Sequence, residues 1–377
     1  MITTMPVEAK KKLKIYERGM VIYMTNIDRI RQAMPEYKCD AMFITSPINR
    51  LFATGFSSSA GVLFITQKDA YFITDSRYIE VAEVAISDAH VIQQNSSEAT
   101  NKSIIEVIVE QGIKSVGFED SIVSYAAHKN LVNSLSVNLI PAQKLINDLR
   151  EIKSRSELDG IIKAQRISED VFNEVLPLIS TDVTEKDIAA EIIYRTLKNG
   201  AEDVSFSPII VSGPNSSRPH GVPGNEKIQK GFLTIDWGAK VNGWCSDTTR
   251  TVCVGKPDDE MVNIYNTVYK AQEAGIKAIH GGAKGVDVDA AARHIIEDAG
   301  YGKYFGHGFG HTQGLEVHES LRASPQSKDI LPAGAVISAE PGIYIPGKYG
   351  VRIEDTIYIT EDGSENITRL PKELLVI

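Results

Sequence analysis

The stretch FLTIDWGAKVNGWCSDTTRTV, residues 232–252, contains two β-like runs around an Asn-Gly pair, which is a strong signal for a hairpin turn. A four-residue loop over residues 240–243 would place Asp236 directly opposite Asp247, whereas a two-residue Asn-Gly turn would make the two carboxylates diagonal neighbours. Both registers put them on one face, because side chains alternate along a strand. Carboxylates that close together repel unless one is protonated or a cation lies between them.

A second pair of apolar, β-like runs also predicts a hairpin with facing acids. AVISAE at residues 335–340 and GVRIEDTIYI at residues 350–359 flank a Pro-Gly-Lys segment. A three-residue loop there pairs Ile345 with Tyr349 and sets Glu340 opposite Glu354. One hairpin with facing acids is unremarkable. Two such hairpins inside apolar strands are hard to attribute to chance, because burying unpaired carboxylates costs several kcal/mol each.

Between the hairpins lies FGHGFGHTQGLEVH, residues 305–318, which holds three of the eight histidines. Its alternating glycines predict a tight loop rather than a helix. This loop could supply the imidazole of a mixed nitrogen and oxygen metal site. The four strand carboxylates carry a charge of −4, which two divalent cations would balance and one would not. The sequence therefore predicts a dinuclear site.

The composition is that of a soluble globular protein. The chain has 377 residues, of which 42% are hydrophobic and 24% charged, with a net charge of −9 that disfavours nucleic acid as a partner. Three cysteines without C-x-x-C spacing indicate free thiols in a reducing compartment. With no signal peptide or membrane-spanning run, we expect a cytoplasmic protein without a membrane partner. Residues 1–24 fit poorly with the rest of the chain, and we interpret them as an expression leader before a natural start at Met24.

Alternating helices and strands predict an α/β domain over residues 25–150 and an α+β domain over residues 151–377. In the first domain we expect a helix over residues 27–34 that is capped by Asn26. We also expect four strands, at residues 41–45, 61–66, 70–74 and 115–118. In the second domain, a charged stretch at residues 148–158 opens a long helical region. Thr184 and Asp187 indicate the start of a helix that runs over residues 184–199. Two more helices are expected at residues 258–280 and 286–299.

At the two hairpins and the histidine-containing loop between them, the chain closely resembles the pita-bread metallopeptidases. These include methionine aminopeptidase, aminopeptidase P, prolidase and the metal-free creatinase. The resemblance runs from about residue 26 to the end, and five ligand types stand in the family's order. Creatinase lacks the intact ligand set, and methionine aminopeptidase usually lacks the extra N-terminal domain. The matching stretches are IIVSGPNSSRPHGVP (209–223), IDWGAKVNGWCSDTTRT (235–251), HGFGHTQGLEVHE (307–319), AEPGIYIPG (339–347) and VRIEDT (351–356).

The resemblance implies a role for each ligand. Asp236 would chelate one metal, and Asp247 and Glu354 would bridge the pair. His311 and Glu340 would complete the second metal's shell, with Glu340 also accepting a proton from the attacking water. Two divalent ions are implied, with manganese expected and cobalt or zinc as alternatives.

Further residues receive roles from the same resemblance. His220 and His318 would flank the scissile bond and donate hydrogen bonds to its carbonyl oxygen. Arg352 would orient a ligand, and His307 would shape the loop rather than bind metal. Arg322 stands where archaeal-type prolidases carry a carboxylate-binding arginine.

The expected activity is hydrolysis of the Xaa-Pro bond, whose nitrogen carries no N–H. Arg322 favours a dipeptidase (prolidase) acting on a small peptide, and an aminopeptidase P acting on longer peptides is the alternative. A non-peptidase hydrolase, lyase or binding protein on the same fold is a more remote one. The family also implies a homodimer in which the N-terminal domain covers the site. The chain departs from the family's usual sequence at two places, Thr312-Gln313 after His311 and Arg218 before Pro219. Neither departure removes a metal ligand.

Overall fold

The computed structural model describes the backbone of residues 14–17 and 20–23 and every residue from 24 to 377. The interpretation of residues 1–24 as a leader concerns residues that lie mainly outside the described ones. The chain divides into two compact units, Met1–Leu149 and Arg150–Ile377. Within the described part of the chain, none of the helices combines the length and apolar character needed to cross a lipid bilayer.

The first unit contains a six-stranded mixed sheet in the order β6-β5-β4-β3-β7-β8 and a separate antiparallel pair of strands, β1 and β2. The pairs β3–β7, β5–β6 and β7–β8 are parallel, and the other two pairs are antiparallel. The elements in chain order are β1 (Lys14–Glu17), β2 (Met20–Tyr23), α1 (Asn26–Ala33), β3 (Ala41–Ile44), α2 (Pro47–Thr54), β4 (Val62–Thr66), β5 (Ala70–Thr74), α3 (Ile79–Ala85), β6 (His90–Gln93), α4 (Ser97–Gln111), β7 (Ser115–Phe118), α5 (Tyr125–Leu135), β8 (Asn138–Pro141) and α6 (Gln143–Glu151).

The four strands expected in this unit are confirmed as β3, β4, β5 and β7. The expected cap of α1 was wrong by one residue, because Thr25 rather than Asn26 caps the helix. The Thr25 hydroxyl accepts from the backbone N–H of Asp28 at 3.2 Å, and the Asp28 carboxylate accepts from the Thr25 N–H at 3.3 Å. Asn26 instead donates its side-chain amide to the carbonyl of Phe52. A reciprocal capping box therefore starts the helix one residue earlier.

The second unit combines four long helices with short antiparallel strands. Its elements are α7 (Arg155–Val175), α8 (Glu185–Lys198), β9 (Asp203–Val204), β10 (Ile209–Ser212), β11 (Gly231–Trp237), β12 (Ala239–Val241), β13 (Trp244–Cys245), β14 (Thr248–Val254), α9 (Asp259–Ala278), β15 (Ala283–Lys284), α10 (Gly285–Asp298), β16 (Gly310–His311), β17 (Arg322–Ala323), β18 (Ile330–Leu331), β19 (Val336–Ala339), β20 (Gly342–Ile345), β21 (Tyr349–Arg352), β22 (Asp355–Ile359) and β23 (Ser364–Asn366).

Two apolar cores organise this unit. One packs α7 and α8 against the β10-β11-β14 sheet, and the other packs α9 and α10 against β19 to β22. The capping box expected at Thr184 and Asp187 is confirmed at the start of α8. The long helical region is in fact two helices, because α6 ends at Glu151 and α7 begins at Arg155. The strands between the cores carry the candidate ligands.

The two hairpins have different turns. In the first, Val241 pairs with Trp244, so the turn is the two-residue Asn242-Gly243 alternative and Asp236 pairs with Thr249 rather than with Asp247. Both turn residues have positive φ, +50° and +84°, as a type I′ turn requires. In the second hairpin the expected pairing of Ile345 with Tyr349 is confirmed.

Candidate active site

Five buried or half-buried side chains converge where the strands of the second unit end. Asp236 lies on β11, Asp247 lies between β13 and β14, and His311 ends β16. Glu340 directly follows β19, and Glu354 separates β21 from β22. One ligand atom each of Asp247, His311 and Glu354 lies within 4.8 Å of the other two. The structure thus brings together residues that are far apart in the sequence.

The imidazole of His311 lies between two of the carboxylates. Its Nε2 atom is 3.1 Å from Oε1 of Glu340 and 3.7 Å from Oδ2 of Asp247. Ser338 holds two of these residues, because its hydroxyl accepts from the backbone N–H of His311 at 3.0 Å and donates to Oε1 of Glu340 at 3.1 Å. The short strand β16 and the end of β19 are thereby fixed to each other at the site.

Asp236 and Glu354 share a pattern in which the protein holds one carboxylate oxygen and leaves the other open. Arg352 donates to Oδ2 of Asp236 at 2.5 Å, and the hydroxyl of Thr249 donates to Oε2 of Glu354 at 2.8 Å. The remaining oxygens, Oδ1 of Asp236 and Oε1 of Glu354, are buried and have no hydrogen-bond partner among the described residues. Buried carboxylate oxygens without a donor are costly unless a cation binds them.

The electrostatics of the cluster follow from burial and mutual repulsion. Burial raises the pKa of Asp247 well above its usual range, and the charges of Glu354 and Asp236 raise it further. Burial and the charge of Glu340 raise the pKa of Glu354 in the same way. Burial also raises the pKa of Asp236, although Arg352 opposes this. For Glu340, burial is outweighed by its hydrogen bond to His311, so its pKa is lowered.

The residues fit divalent cations. The donor set is four carboxylates and one imidazole, which suits manganese, cobalt or zinc better than a soft metal. The open oxygens of Asp236 and Glu354 and the ligand atoms around His311 provide donors on more than one side of the cluster. A pair of divalent cations would also balance the four negative charges that are buried or half-buried here.

A chain of hydrogen bonds supports the cluster from behind. Arg352 donates to Asp236, to the Thr249 hydroxyl at 3.0 Å and to the Tyr344 hydroxyl at 2.9 Å. The Tyr344 hydroxyl in turn lies 2.9 Å from Nε2 of His307, whose Nδ1 is 2.8 Å from the carbonyl of Gly308. Because Nδ1 faces a carbonyl, it carries the proton and Nε2 accepts from Tyr344. Among the described residues, hydrogen bonds through Tyr344 and Arg352 link His307 to the site.

Sequence reasoning did not single out Tyr344, Thr249 or Ser338. A signal for Tyr344 was present, because the second hairpin pairs Tyr344 with Gly350, two residues from Arg352 on the same strand face. Thr249 likewise stands directly opposite Asp236 in the observed register of the first hairpin.

His318 and His220 are exposed loop residues, and Arg352 donates to the carbonyl of Pro219, the residue before His220, at 3.2 Å. The His318 ring packs edge-on against that of His311, with centroids 4.2 Å apart. Desolvation, followed by the neighbouring His311 and Arg322, lowers the pKa of His318 to about 4, so its ring is neutral at pH 7. A buried carboxylate, Glu185, holds the loop that carries His220 by accepting from Ser212, Asn215 and Gly224.

Arg322 lies directly across from His311, as the Cα partner of that residue in the β16–β17 pair. Its Nη1 atom donates to the carbonyls of Glu319 and of Leu321, the latter at 2.9 Å. Within the described part of the chain, these are the hydrogen bonds that its guanidinium makes. The Nη2 and Nε donors of a half-buried arginine beside the cluster are thus available to a ligand.

Comparison with known proteins identifies the family of each of the two units. The model of metallopeptidase family M24 matches residues 159–361, and that of the creatinase/prolidase N-terminal domain matches residues 26–152. An uncharacterized peptidase of Bacillus subtilis is 40% identical over 353 residues, covering 93% of this chain and 99% of its own.

Two solved structures are similar over nearly the whole chain. The Xaa-Pro dipeptidase from Bacillus anthracis is 38% identical with a TM-score of 0.89, and the match covers 93% of this chain and 99% of that one. The X-Pro aminopeptidase from Thermotoga maritima is 32% identical with a TM-score of 0.86, covering 92% and 100%. The predicted fold class, an α/β N-terminal domain followed by a pita-bread catalytic domain, is confirmed. The chain belongs to metallopeptidase family M24 and carries a creatinase/prolidase N-terminal domain.

Proposed function

We propose that this protein is an Xaa-Pro dipeptidase whose two divalent cations are held by five ligands, Asp236, Asp247, His311, Glu340 and Glu354. The observation that carries the proposal is the cross-strand pair of His311 and Arg322, which sets an arginine with open guanidinium donors directly opposite one of the candidate metal ligands. A dipeptide ending in proline presents its free carboxylate close to the scissile bond, so a nearby arginine matches that substrate. The similar Xaa-Pro dipeptidase from Bacillus anthracis supports the same activity.

The protein's own residues complete the chemistry. When bound, the cations would supply Lewis-acid polarisation of the scissile carbonyl and a more acidic water. Glu340 stands at the edge of the cluster, held by Ser338 and His311, where its carboxylate can accept the proton of the attacking water. His318, neutral at pH 7, can donate one hydrogen bond to the developing oxyanion, and His220 is proposed to act beside it.

Proline specificity arises from the donor that its nitrogen lacks. The imide nitrogen of an Xaa-Pro bond has no N–H, so a peptidase that requires that donor cannot hold such a substrate. Here the proposed contact is instead the terminal carboxylate, bound by Nη2 and Nε of Arg322 in a fork. A longer peptide has an amide at that position and leaves the guanidinium without its charge partner.

A two-substrate assay tests the proposal. Protein shown to hold two metal ions is given an Xaa-Pro dipeptide and the matching Xaa-Pro-Yaa tripeptide. We expect the dipeptide to be hydrolysed and the tripeptide to be spared. Efficient tripeptide cleavage would replace the dipeptidase with an aminopeptidase P, and failure to cleave either substrate would reject the peptidase assignment.

We further propose manganese as the native metal, a homodimer as the functional form and the cytoplasm as the location. The oxygen-rich donor set supports manganese, and three buried free cysteines, Cys39, Cys245 and Cys253, support a reducing compartment. Elemental analysis of protein purified without added metal tests the first point. Light scattering at physiological salt tests the second, and fractionation of the source cell tests the third.

A further inference from the structure

Four buried charged residues form a cluster outside the site described above. Arg150, Glu151, Lys153 and Glu319 are each at most 8% exposed. Arg150 donates to Oε1 of Glu319 at 2.9 Å, and Lys153 donates to Oε2 of the same carboxylate at 2.6 Å. Arg150 also reaches the exposed Glu316 at 2.7 Å. Two cations and two carboxylates therefore balance each other in the interior of the second unit.

Glu151 holds the loop of residues 312–321, which contains Glu319, at other points. Its Oε1 atom accepts from the backbone N–H of Ser320 at 2.9 Å, from the Ser320 hydroxyl, and from the Thr312 hydroxyl at 3.2 Å. Glu319 also accepts from the backbone N–H of Leu315 at 3.2 Å. The segment of residues 150–153 thus contacts the loop of residues 312–321 on both sides of His318.

The loop leaves little space for rearrangement around this cluster. A Cβ atom on Gly314 would lie 2.5 Å from Oε1 of Glu319, so the backbone approaches that carboxylate closely. The backbone N–H of Glu319 donates to the carbonyl of Thr312 at 2.7 Å and closes the loop at its base. His318 directly precedes Glu319, so its exposed imidazole projects from a loop whose next side chain is held by two buried cations.

We propose that the segment of residues 150–153, acting through Glu319 and Ser320, is the positioning device that holds the His318 imidazole against the substrate. The role of His318 in this inference rests on the proposed function. The side chains of Arg150, Glu151 and Lys153 reach the loop of residues 312–321, so in this proposal they act through the loop and not on the substrate itself. Buried ion pairs add little net stability compared with apolar packing, so fixing a catalytic loop is a reason to keep four charges in this place.

Hydrogen exchange tests the mechanical part without reference to any substrate. In the metal-loaded protein, Lys153→Met removes one cation from Glu319, and we expect amides in residues 312–321 to exchange at least about tenfold faster while α9 and β11 keep their protection. Lys144→Met makes the same change in an exposed pair with Asp148 and serves as the control. Unchanged exchange in the loop of Lys153→Met would overturn the proposal.

Kinetics test the link to His318. We expect Lys153→Met to lower kcat about tenfold with KM and metal content unchanged, because the lost interaction acts in the transition state. His318→Ala should cost about 100-fold in kcat/KM in the wild type but only about tenfold in the Lys153→Met background, because the imidazole is already misplaced there and the double variant is no worse than His318→Ala alone. Equal losses in both backgrounds, or loss of metal from Lys153→Met, would overturn the proposal.

A second variant covers the case in which Lys153→Met does not fold. Glu319→Gln keeps the size of the side chain and removes its charge, and the same non-additivity with His318→Ala is expected. If the wild type hydrolyses neither peptide, the proposed function fails, and hydrogen exchange still decides whether the segment of residues 150–153 holds the loop.

Discussion

Arg352 approaches Asp236 with its Nη2 atom 2.5 Å from Oδ2, and this contact determines which carboxylate oxygen faces the site. The same guanidinium donates to Thr249, which donates to Glu354, so one arginine aligns two of the proposed ligands. Arg352 is itself buried and is held in place by Tyr344. Ligand geometry here depends on residues that would not touch a metal ion.

Removing the Tyr344 hydroxyl should therefore weaken catalysis without removing a ligand. We expect Tyr344→Phe to lower kcat/KM about tenfold, because Arg352 loses a hydrogen-bond partner and Asp236 becomes less well oriented. Steady-state kinetics on an Xaa-Pro dipeptide measure this effect. Tyr349→Phe changes the same residue type on the same hairpin outside the hydrogen-bond chain, and equal losses in the two variants would contradict the role given to Tyr344.

Asp247 is the proposed ligand whose pKa is raised by burial and by the charges of all three other carboxylates, Glu354, Asp236 and Glu340. We expect Asp247→Asn to abolish detectable hydrolysis and to lower the number of bound metal ions, because an amide is a weaker ligand and carries no charge. Elemental analysis and the peptide assay on the same sample measure both effects. A variant with normal turnover would remove Asp247 from the set of ligands.

Arg322 should decide the length of the substrate. We expect Arg322→Met to raise KM for the dipeptide by about 100-fold, because a charge-assisted contact to the terminal carboxylate is worth roughly 1.5–3 kcal/mol. Activity on the matching tripeptide should change by less than about twofold, because that substrate has no carboxylate at this position. Arg195→Met, which removes an arginine from a surface pair with Glu174, is the control. An unchanged KM for the dipeptide would assign its carboxylate to another group.

The buried carboxylate of Glu319 should make stability depend on pH. Burial opposes its ionisation, but the charges of Lys153 and Arg150 prevail and lower its pKa. A lowered pKa in the folded state means that the stabilisation is complete above the unfolded value of about 4.5 and is lost as the pH falls through the folded value.

We therefore expect Glu319→Gln to reduce the free energy of unfolding by about 3 kcal/mol at pH 7, because it removes the carboxylate that pairs with buried Lys153 and one of the two carboxylates that pair with Arg150. The difference from the wild type should shrink as the pH falls below about 4.5, since Glu319 then takes up a proton in the unfolded wild type and, below its lowered folded pKa, in the native state as well. Denaturant unfolding of both proteins at pH 7, 5 and about 3.5 measures the difference. A difference that stays constant with pH would show that the charge of Glu319 does not stabilise the fold.

The sequence was informative where local patterns carry the information. The two turns mark both hairpins, and strand alternation places the acids on shared faces. The exact partner of Asp236 was not predictable, because alternation is the same in both registers and only the turn length distinguishes them. Positive φ at Asn242 and Gly243 shows which one formed.

Long-range partners left no such pattern. Lys153 and Glu319 are 166 residues apart, and no periodicity connects a lysine between two helices to a glutamate in a glycine-rich loop. Tyr344 is different, since the register of the second hairpin already placed it near Arg352. Contacts within a hairpin can be inferred from spacing, whereas contacts between distant segments depend on how the cores pack.

The most direct test of the account is hydrolysis of an Xaa-Pro dipeptide, measured as manganese is added in steps to metal-free protein while bound metal is counted. We predict that two ions bind per chain and that full activity is reached only when both are present. Full activity with one ion per chain, or no hydrolysis with two ions bound, would contradict the proposal that Asp236, Asp247, His311, Glu340 and Glu354 form a two-metal peptidase site.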